Sequence, residues 1–374
     1  MRTKVCELLG IEFPILAFSH CRDVIAAVSK AGGFGVLGAA GHSPHQLDID
    51  LGWITEQVGG RPFGVDVIVP AKYEGKDDGG LTVEKLQALI PQAQRDFLEA
   101  LLLRYNVPEL PEGESGRQIR EAPMSLNQAS PLMDVAFAHP ISLIVNALGP
   151  PPQEMIDRAH AQGVKVAALA GKKSHAVRHA AMGVDLIIAQ GHEAGGHTGD
   201  IGTMVLVPEI VDAVAPLPVL AAGGIGGGRQ FAASLALGAE GVWCGSIWLT
   251  TEEAETHPTV KQKFLAASSS DTLRSRSRTG KPARQLRSAW TDAWEGPDSP
   301  GMLAMPLQPL LISEASQRID RAAHDPASGA AQLSNYFVGQ IVGSMNQVKP
   351  AARVVLEMVE EFIDAMQRVE AMMQ

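Results

Sequence analysis

Along the chain, short apolar runs rich in β-branched residues recur, each closed by a turn signal and followed by an alanine-rich stretch of helical spacing. That rhythm is the pattern of repeated strand–helix units whose strands are buried on both faces. Eight such runs stand in series: Phe13–Phe18, Gly35–Leu37, Phe63–Val69, Ile141–Asn146, Val164–Leu169, Val184–Ala189, Pro218–Ala222 and Gly241–Cys244. Helices are expected around Asp23–Ala31, after Ser43 and Pro44, and over Pro152–Gln162. Ser43 is suited to accept from the first turn, and Pro44 to begin it. Eight units in series fit closure better than an open sheet, so the predicted fold is an α/β class (β/α)8 TIM barrel.

Two stretches break the rhythm. Residues 72–138 form an insertion after the third strand, with a glycine-rich turn near Gly79, a helical run over Val83–Leu103 and a Pro/Glu/Gly loop over Pro108–Gly116. Beyond Thr250 comes polar sequence, then Trp290 and Trp294, then a Pro/Gly/Met loop. The expected organisation is a barrel over residues 1–250, a small helical lid over 251–335 with Trp290, Trp294 or Met302 near the substrate, and a C-terminal helix within 336–374 packing back on the barrel. Val355, Met358, Phe362 and Met366 recur at helical spacing in that tail, marking a packing face for the barrel or for a second subunit in a homodimer.

Composition narrows the class of protein. A chain of 374 residues with 45% hydrophobic content can bury one barrel and an appendage. The formal net charge of −10, with no basic block beyond Arg274–Arg287, argues against nucleic acid. Three cysteines without a CxxC pair suggest neither a disulfide framework nor a zinc site. With no signal-like apolar segment and no membrane-length run, a cytoplasmic location and no membrane partner are expected.

The chemistry concentrates after the last strands. The sixth runs into Gln190-Gly191-His192-Glu193-Ala194-Gly195-Gly196-His197, the seventh into Gly223-Gly224, and the eighth into Gly245-Ser246. Glycines let backbone N–H groups approach an anion, and loops at this end of a barrel carry active sites and phosphates, with a helix N-terminus adding its dipole. One Gly-Gly pair alone would be read as a tight turn; three glycine loops after successive strands point to one anion. His192, Glu193 and His197 suggest zinc at first sight, but the histidines are five apart and Gly195-Gly196 would break the helix such a site needs, so no metal is expected.

GHEAGGHTG, AAGGIGGGRQFAASLALGAEGVWCGS and TGKPAR (279–284) resemble the nitronate monooxygenase (2-nitropropane dioxygenase) family, which includes FMN-dependent enoyl-acyl-carrier-protein and quinone reductases. The resemblance implies FMN, with Gln190 at the isoalloxazine ring and Gly195, Gly196, Gly223, Gly224, Gly245 and Ser246 in the phosphate and ribityl loops. Asp66 stands where the family commonly has an asparagine facing the flavin; a carboxylate there only accepts hydrogen bonds. Phe18, Ser19 and His20 would lie along the flavin. The family's histidine base at the end of the fourth strand is matched by Ala147, which cannot move a proton. His20 and His197 are therefore the candidate catalytic groups. Against this, His197 has a structural reading, its ring bonding a backbone carbonyl to hold the loop. The leading expectation is an oxidoreductase that oxidises an alkyl nitronate or related small carbon acid with O₂. An NAD(P)H-dependent quinone or enoyl reductase and a flavin-free barrel enzyme binding a phosphate ligand are the alternatives.

Overall fold

In the computed structural model, which describes residues 1–69, 83–111 and 126–374, eight parallel strands close into a barrel. They are β1 (Ile15–Ser19), β2 (Phe34–Gly38), β3 (Phe63–Val67), β4 (Leu143–Asn146), β5 (Lys165–Ala170), β6 (Leu186–Gln190), β8 (Val219–Ala222) and β9 (Gly241–Cys244), with β9 pairing back onto β1. A two-residue strand, β7 (Gly196–His197), falls between β6 and β8 outside the barrel. The eight runs read from the sequence are the eight barrel strands, with ends shifted by one or two residues. Ser43 Oγ accepts from Gln46 N–H and Pro44 opens the following helix, as their residue types require.

Side chains alternate through the barrel wall. Leu16, Phe34, Val36, Leu143, Val145, Leu186, Ile188, Leu220 and Trp243 fill the interior, joined by Val5 and Leu9 of the N-terminal helix Lys4–Leu9. Ile15, Ala17, Leu37, Val65, Val67, Ile144, Ile187 and Val242 face outward into a second layer shared with the helices. That period of two decides which residues look into the mouth.

Outside the barrel the sequence reading needs amendment. The helical run Val83–Leu103 is two helices, Val83–Ala88 and Gln92–Arg104, because Pro91 takes an extended backbone and starts the second. The turn near Gly79 and the end of the Pro108–Gly116 loop lie outside the described residues. The segment read as a helical lid also supplies two strands, β10 (Thr272–Ser275) and β11 (Ala283–Leu286), which pair antiparallel with each other and, through β11, with β7. Trp290 and Trp294 turn into the protein interior. They are buried at 3% and 1% exposure in a separate core with Leu98, Leu102, Leu311 and Ile319, and Phe97 meets Trp294 edge-on at 4.8 Å. Apolar bulk decided their place: two indoles hidden together remove more surface from water than they would on a lid.

The last helix, Ala351–Ala371, lies against the helix Gly228–Ala236, with Phe231 and Phe362 rings 4.8 Å apart. Val355 and Met358 are buried there.

Candidate active site

Strand alternation sets the inward-facing residues at the carboxyl end of the barrel. Phe18 follows Leu16, Gly38 follows Val36, Gln190 follows Ile188, and Asp66 lies between the outward-facing Val65 and Val67. Phe18 stacks on Trp243 at 5.8 Å and meets the His20 ring edge-on at 5.2 Å. Gly38 pairs with Asp66 in register, and its carbonyl lies 2.8 Å from His20 Nδ1. A carbonyl only accepts, so Nδ1 carries the proton and Nε2 keeps its lone pair. His20 retains an exposed edge, but protein atoms crowd the rest of the ring; this desolvation lowers its pKa, the Gly38 bond opposes the shift, and His42 adds to it. Ser19 is otherwise engaged, its hydroxyl accepting the Cys21 N–H at 3.1 Å ahead of the helix Arg22–Lys30.

Asp66 is 3% exposed, and its Oδ1 has no hydrogen-bond partner among the described residues. Burial raises its pKa well above the usual carboxylate range, against a smaller opposing effect of the Ala147 backbone N–H. The residue in place of the family histidine thus serves Asp66 through its main chain. Asn146 beside it braces both loops: its Oδ1 accepts from Val69 N–H at 2.9 Å and its Nδ2 donates to the Gly149 carbonyl at 3.2 Å.

The three glycine loops do meet. A Cβ on Gly223, whose φ is +97°, would lie 3.0 Å from the Gly191 carbonyl and 3.1 Å from Ala194 N, so the loops after β6 and β8 touch through bare backbone. A Cβ on Gly195 would lie 2.9 Å from Gly339 N, and Gly339 N–H donates to Ser246 Oγ at 2.8 Å. Gly245 packs against Phe18, where its Cβ would sit 3.7 Å from the ring. The rim therefore runs without a break from Asp66 through Gly38, His20, Phe18, Gly245 and Ser246 to Gly195, with Gly196 next in the chain. Gly224 adjoins it through the Glu193 side chain. The expected helix dipole is partly answered already: Gly228 N–H, at the start of the helix Gly228–Ala236, donates to Glu361 Oε2 at 2.7 Å. The loop amides, more than that helix end, are left for an anion.

His197 stands apart, in β7. Its Nε2 lies 2.8 Å from Thr279 Oγ1, a hydroxyl where a backbone carbonyl was expected. Burial, with Lys281 adding to it, lowers its pKa to about 4, so the ring is neutral. Two arginines of the basic stretch Arg274–Arg287 act as staples. Arg274 bonds Asp200 and the Thr198 carbonyl, and Arg278 bonds Asn335 beneath Tyr336 and Phe337.

Sequence reasoning passed over three contributors. Glu193 accepts Thr203 N–H at 3.0 Å and so fixes the start of the helix Thr203–Val214 under the glycine loop. The segment Val338–Gln340 covers that loop, with Gln340 N–H donating to the Glu193 carbonyl at 2.9 Å. Arg284 is 6% exposed and bonds the His192 carbonyl at 3.0 Å, with no carboxylate in ion-pair contact among the described residues. The Glu193 carboxylate answers part of its charge. Only the glutamate stood out locally, as one of the three residues that suggest zinc.

Fold and site together define a flavin-dependent oxidoreductase on a (β/α)8 barrel. The nitronate monooxygenase family model matches residues 2–361, and the chain belongs to that family. A Mycobacterium tuberculosis protein named as a monooxygenase is 60% identical over 374 residues, covering 100% of both chains. A Staphylococcus aureus protein named as a nitronate monooxygenase is 28% identical, covering 93% of this chain and 98% of its own. Among solved structures, nitroalkane oxidase from Streptomyces ansochromogenes superposes with a TM-score of 0.79 at 27% identity, covering 98% of this chain and 99% of its own.

Proposed function

We propose that the cofactor is FMN and that the chain oxidises alkyl nitronates, or a related small carbon acid, with O₂. The observation that carries this reading is the continuous rim from Asp66 to Gly195, which sets a buried polar atom, an imidazole and bare-backbone loops around one mouth. The residues fit the group: Asp66 Oδ1 and Gln190 are polar atoms facing the interior for a heteroaromatic ring, and the loops at Gly195, Gly196, Gly223, Gly224, Gly245 and Ser246 offer amides for a phosphate, backed by Arg284. When bound, FMN supplies the redox chemistry.

The chain's own part is binding, orientation and proton transfer. His20 Nε2 is the proton acceptor at the mouth; the Gly38 carbonyl fixes its tautomer, and its lowered pKa keeps it unprotonated at neutral pH. With alanine at position 147, His20 is the imidazole held against Gly38 and Phe18 on the rim. An anionic nitronate has already lost its proton and does not call on His20, whereas a neutral nitroalkane does.

The test is a comparison of substrates on the FMN-loaded protein. His20→Ala is expected to keep its visible flavin absorption and to lose roughly 10²–10⁴-fold in turnover of a neutral nitroalkane, with much smaller effect on the preformed nitronate. Equal loss on both substrates would remove His20 from the role of base. A full-length preparation that stays colourless after reconstitution with FMN would end the reading altogether.

A further inference from the structure

We propose that Asp66 recognises the ring of the cofactor as a donor, its Oδ1 giving a hydrogen bond to a carbonyl acceptor of the bound isoalloxazine. The inference rests on the FMN reading above and concerns one residue of that site.

Three observations lead to it. Asp66 sits on β3 between Val65 and Val67, both of which face the outer layer, so its side chain faces the barrel interior near the carboxyl end. It is 3% exposed, yet Oδ1 has no partner among the described residues, an arrangement that costs free energy unless something else completes it. And among the described residues no cation faces it. From β2 it faces Gly38 and Ala39, and from the end of β4 Val145 and Ala147, none of them titratable. Beyond Gly38 lies His20, with His42 acting on it in turn; His20 has its own pKa lowered and so supplies no cation at neutral pH. Among the described residues the backbone N–H of Ala147 is what favours the ionised carboxyl.

A buried carboxylate without a counter-ion takes up a proton instead. A neutral carboxylic acid has one O–H donor, and an isoalloxazine presents carbonyl oxygens that only accept. The carboxyl thus does what the amide of an asparagine would do, with one difference: its donor can be titrated away. Raising the pH strips the proton and leaves an oxygen lone pair facing a carbonyl oxygen, so binding must weaken.

The experiment is a fluorescence titration of the full chain with FMN from mildly acidic to alkaline pH, for wild type and for Asp66→Asn. Wild-type affinity is expected to fall by about tenfold per pH unit once the carboxyl of the free protein ionises, because binding then includes uptake of one proton. Asp66→Asn keeps an amide donor at every pH and should give a flat profile. Infrared difference spectra of the FMN-loaded proteins give a readout that does not depend on affinity: the carbonyl stretch of a neutral carboxylic acid should be present in wild type and absent in the variant. Should Asp66→Asn fail to fold, the wild-type profile and the shift of its carboxyl band in D₂O decide the matter. A wild-type profile as flat as the variant's, or a spectrum without a neutral carboxyl, overturns the proposal for Asp66 while leaving FMN as the cofactor. Absence of FMN binding at any pH overturns both.

Discussion

Ser246 Oγ accepts the Gly339 N–H at 2.8 Å, joining the loop after β9 to a segment 93 residues further along the chain. Gly339 in turn lies so close to the loop after β6 that a Cβ there would be 2.7 Å from the Glu193 carbonyl and 3.1 Å from Gly195 N. The Ser246 hydroxyl and the Glu193 carbonyl, which accepts from Gln340 N–H, together hold the cover of the glycine rim in place. Replacing Ser246 with alanine should strand the Gly339 N–H and cost about 1–3 kcal/mol of stability. Denaturant unfolding checks the stability, and the rate of flavin loss should rise in parallel if the cover guards the site.

Glu193→Ala should act on the same rim from beneath. The Glu193 carboxylate takes the Thr203 N–H and can take its hydroxyl, at 3.0 and 2.9 Å, at the start of the helix Thr203–Val214. Loss of an anionic acceptor at a helix start costs about 1–2 kcal/mol. Glu193→Gln should recover part of the loss, since the amide oxygen still accepts, and thermal unfolding of the two variants orders them.

His197 predicts a pH dependence of stability. Its folded pKa of about 4 lies below the 6.5 of the unfolded chain, so between these values the unfolded state binds more protons. The stabilisation from a neutral buried ring is complete above pH 6.5 and is lost as the pH falls toward 4, up to about 3 kcal/mol across the window. His197→Gln should flatten the unfolding free energy over that range, leaving only the slope of other groups. A variant that tracks wild type through the whole acid limb would show that His197 does not titrate this way.

Gly228→Ala tests how the tail helix docks. A Cβ at Gly228 would lie 2.2 Å from Phe362 N and 2.5 Å from the Glu361 carbonyl carbon, both backbone atoms that cannot step aside. The helix Ala351–Ala371 must shift, and a loss of about 1–3 kcal/mol or more is expected. Hydrogen exchange should locate the new mobility in residues 351–371 and leave the barrel strands protected.

How much of this was legible in the chain varies with the range of the interaction. The eight strands and the Ser43–Pro44 helix start were readable because apolar periodicity and capping act within a few residues. The strand β10 was not, since its polar Thr-Leu-Arg-Ser sequence looks like loop until it finds β11, and β11 matters to the site only through its pairing with Gly196 and His197. The two tryptophans were misplaced for a similar reason: a local pattern marks them as apolar but does not say which distant helices will cover them.

The sequence alone determined the barrel, the glycine loops after its last strands, the alanine where a histidine is expected and the membership of a flavoenzyme family, since all of these are matters of residue type, order and spacing. Tertiary structure decided the state of the groups: that Asp66 is buried without a counter-charge among the described residues, that His20 is oriented by the Gly38 carbonyl, and that Glu361 occupies a helix end expected to be free. Burial and orientation depend on atoms brought together from far along the chain, and the free energy of a charge or a proton is set by those surroundings rather than by its neighbours in sequence.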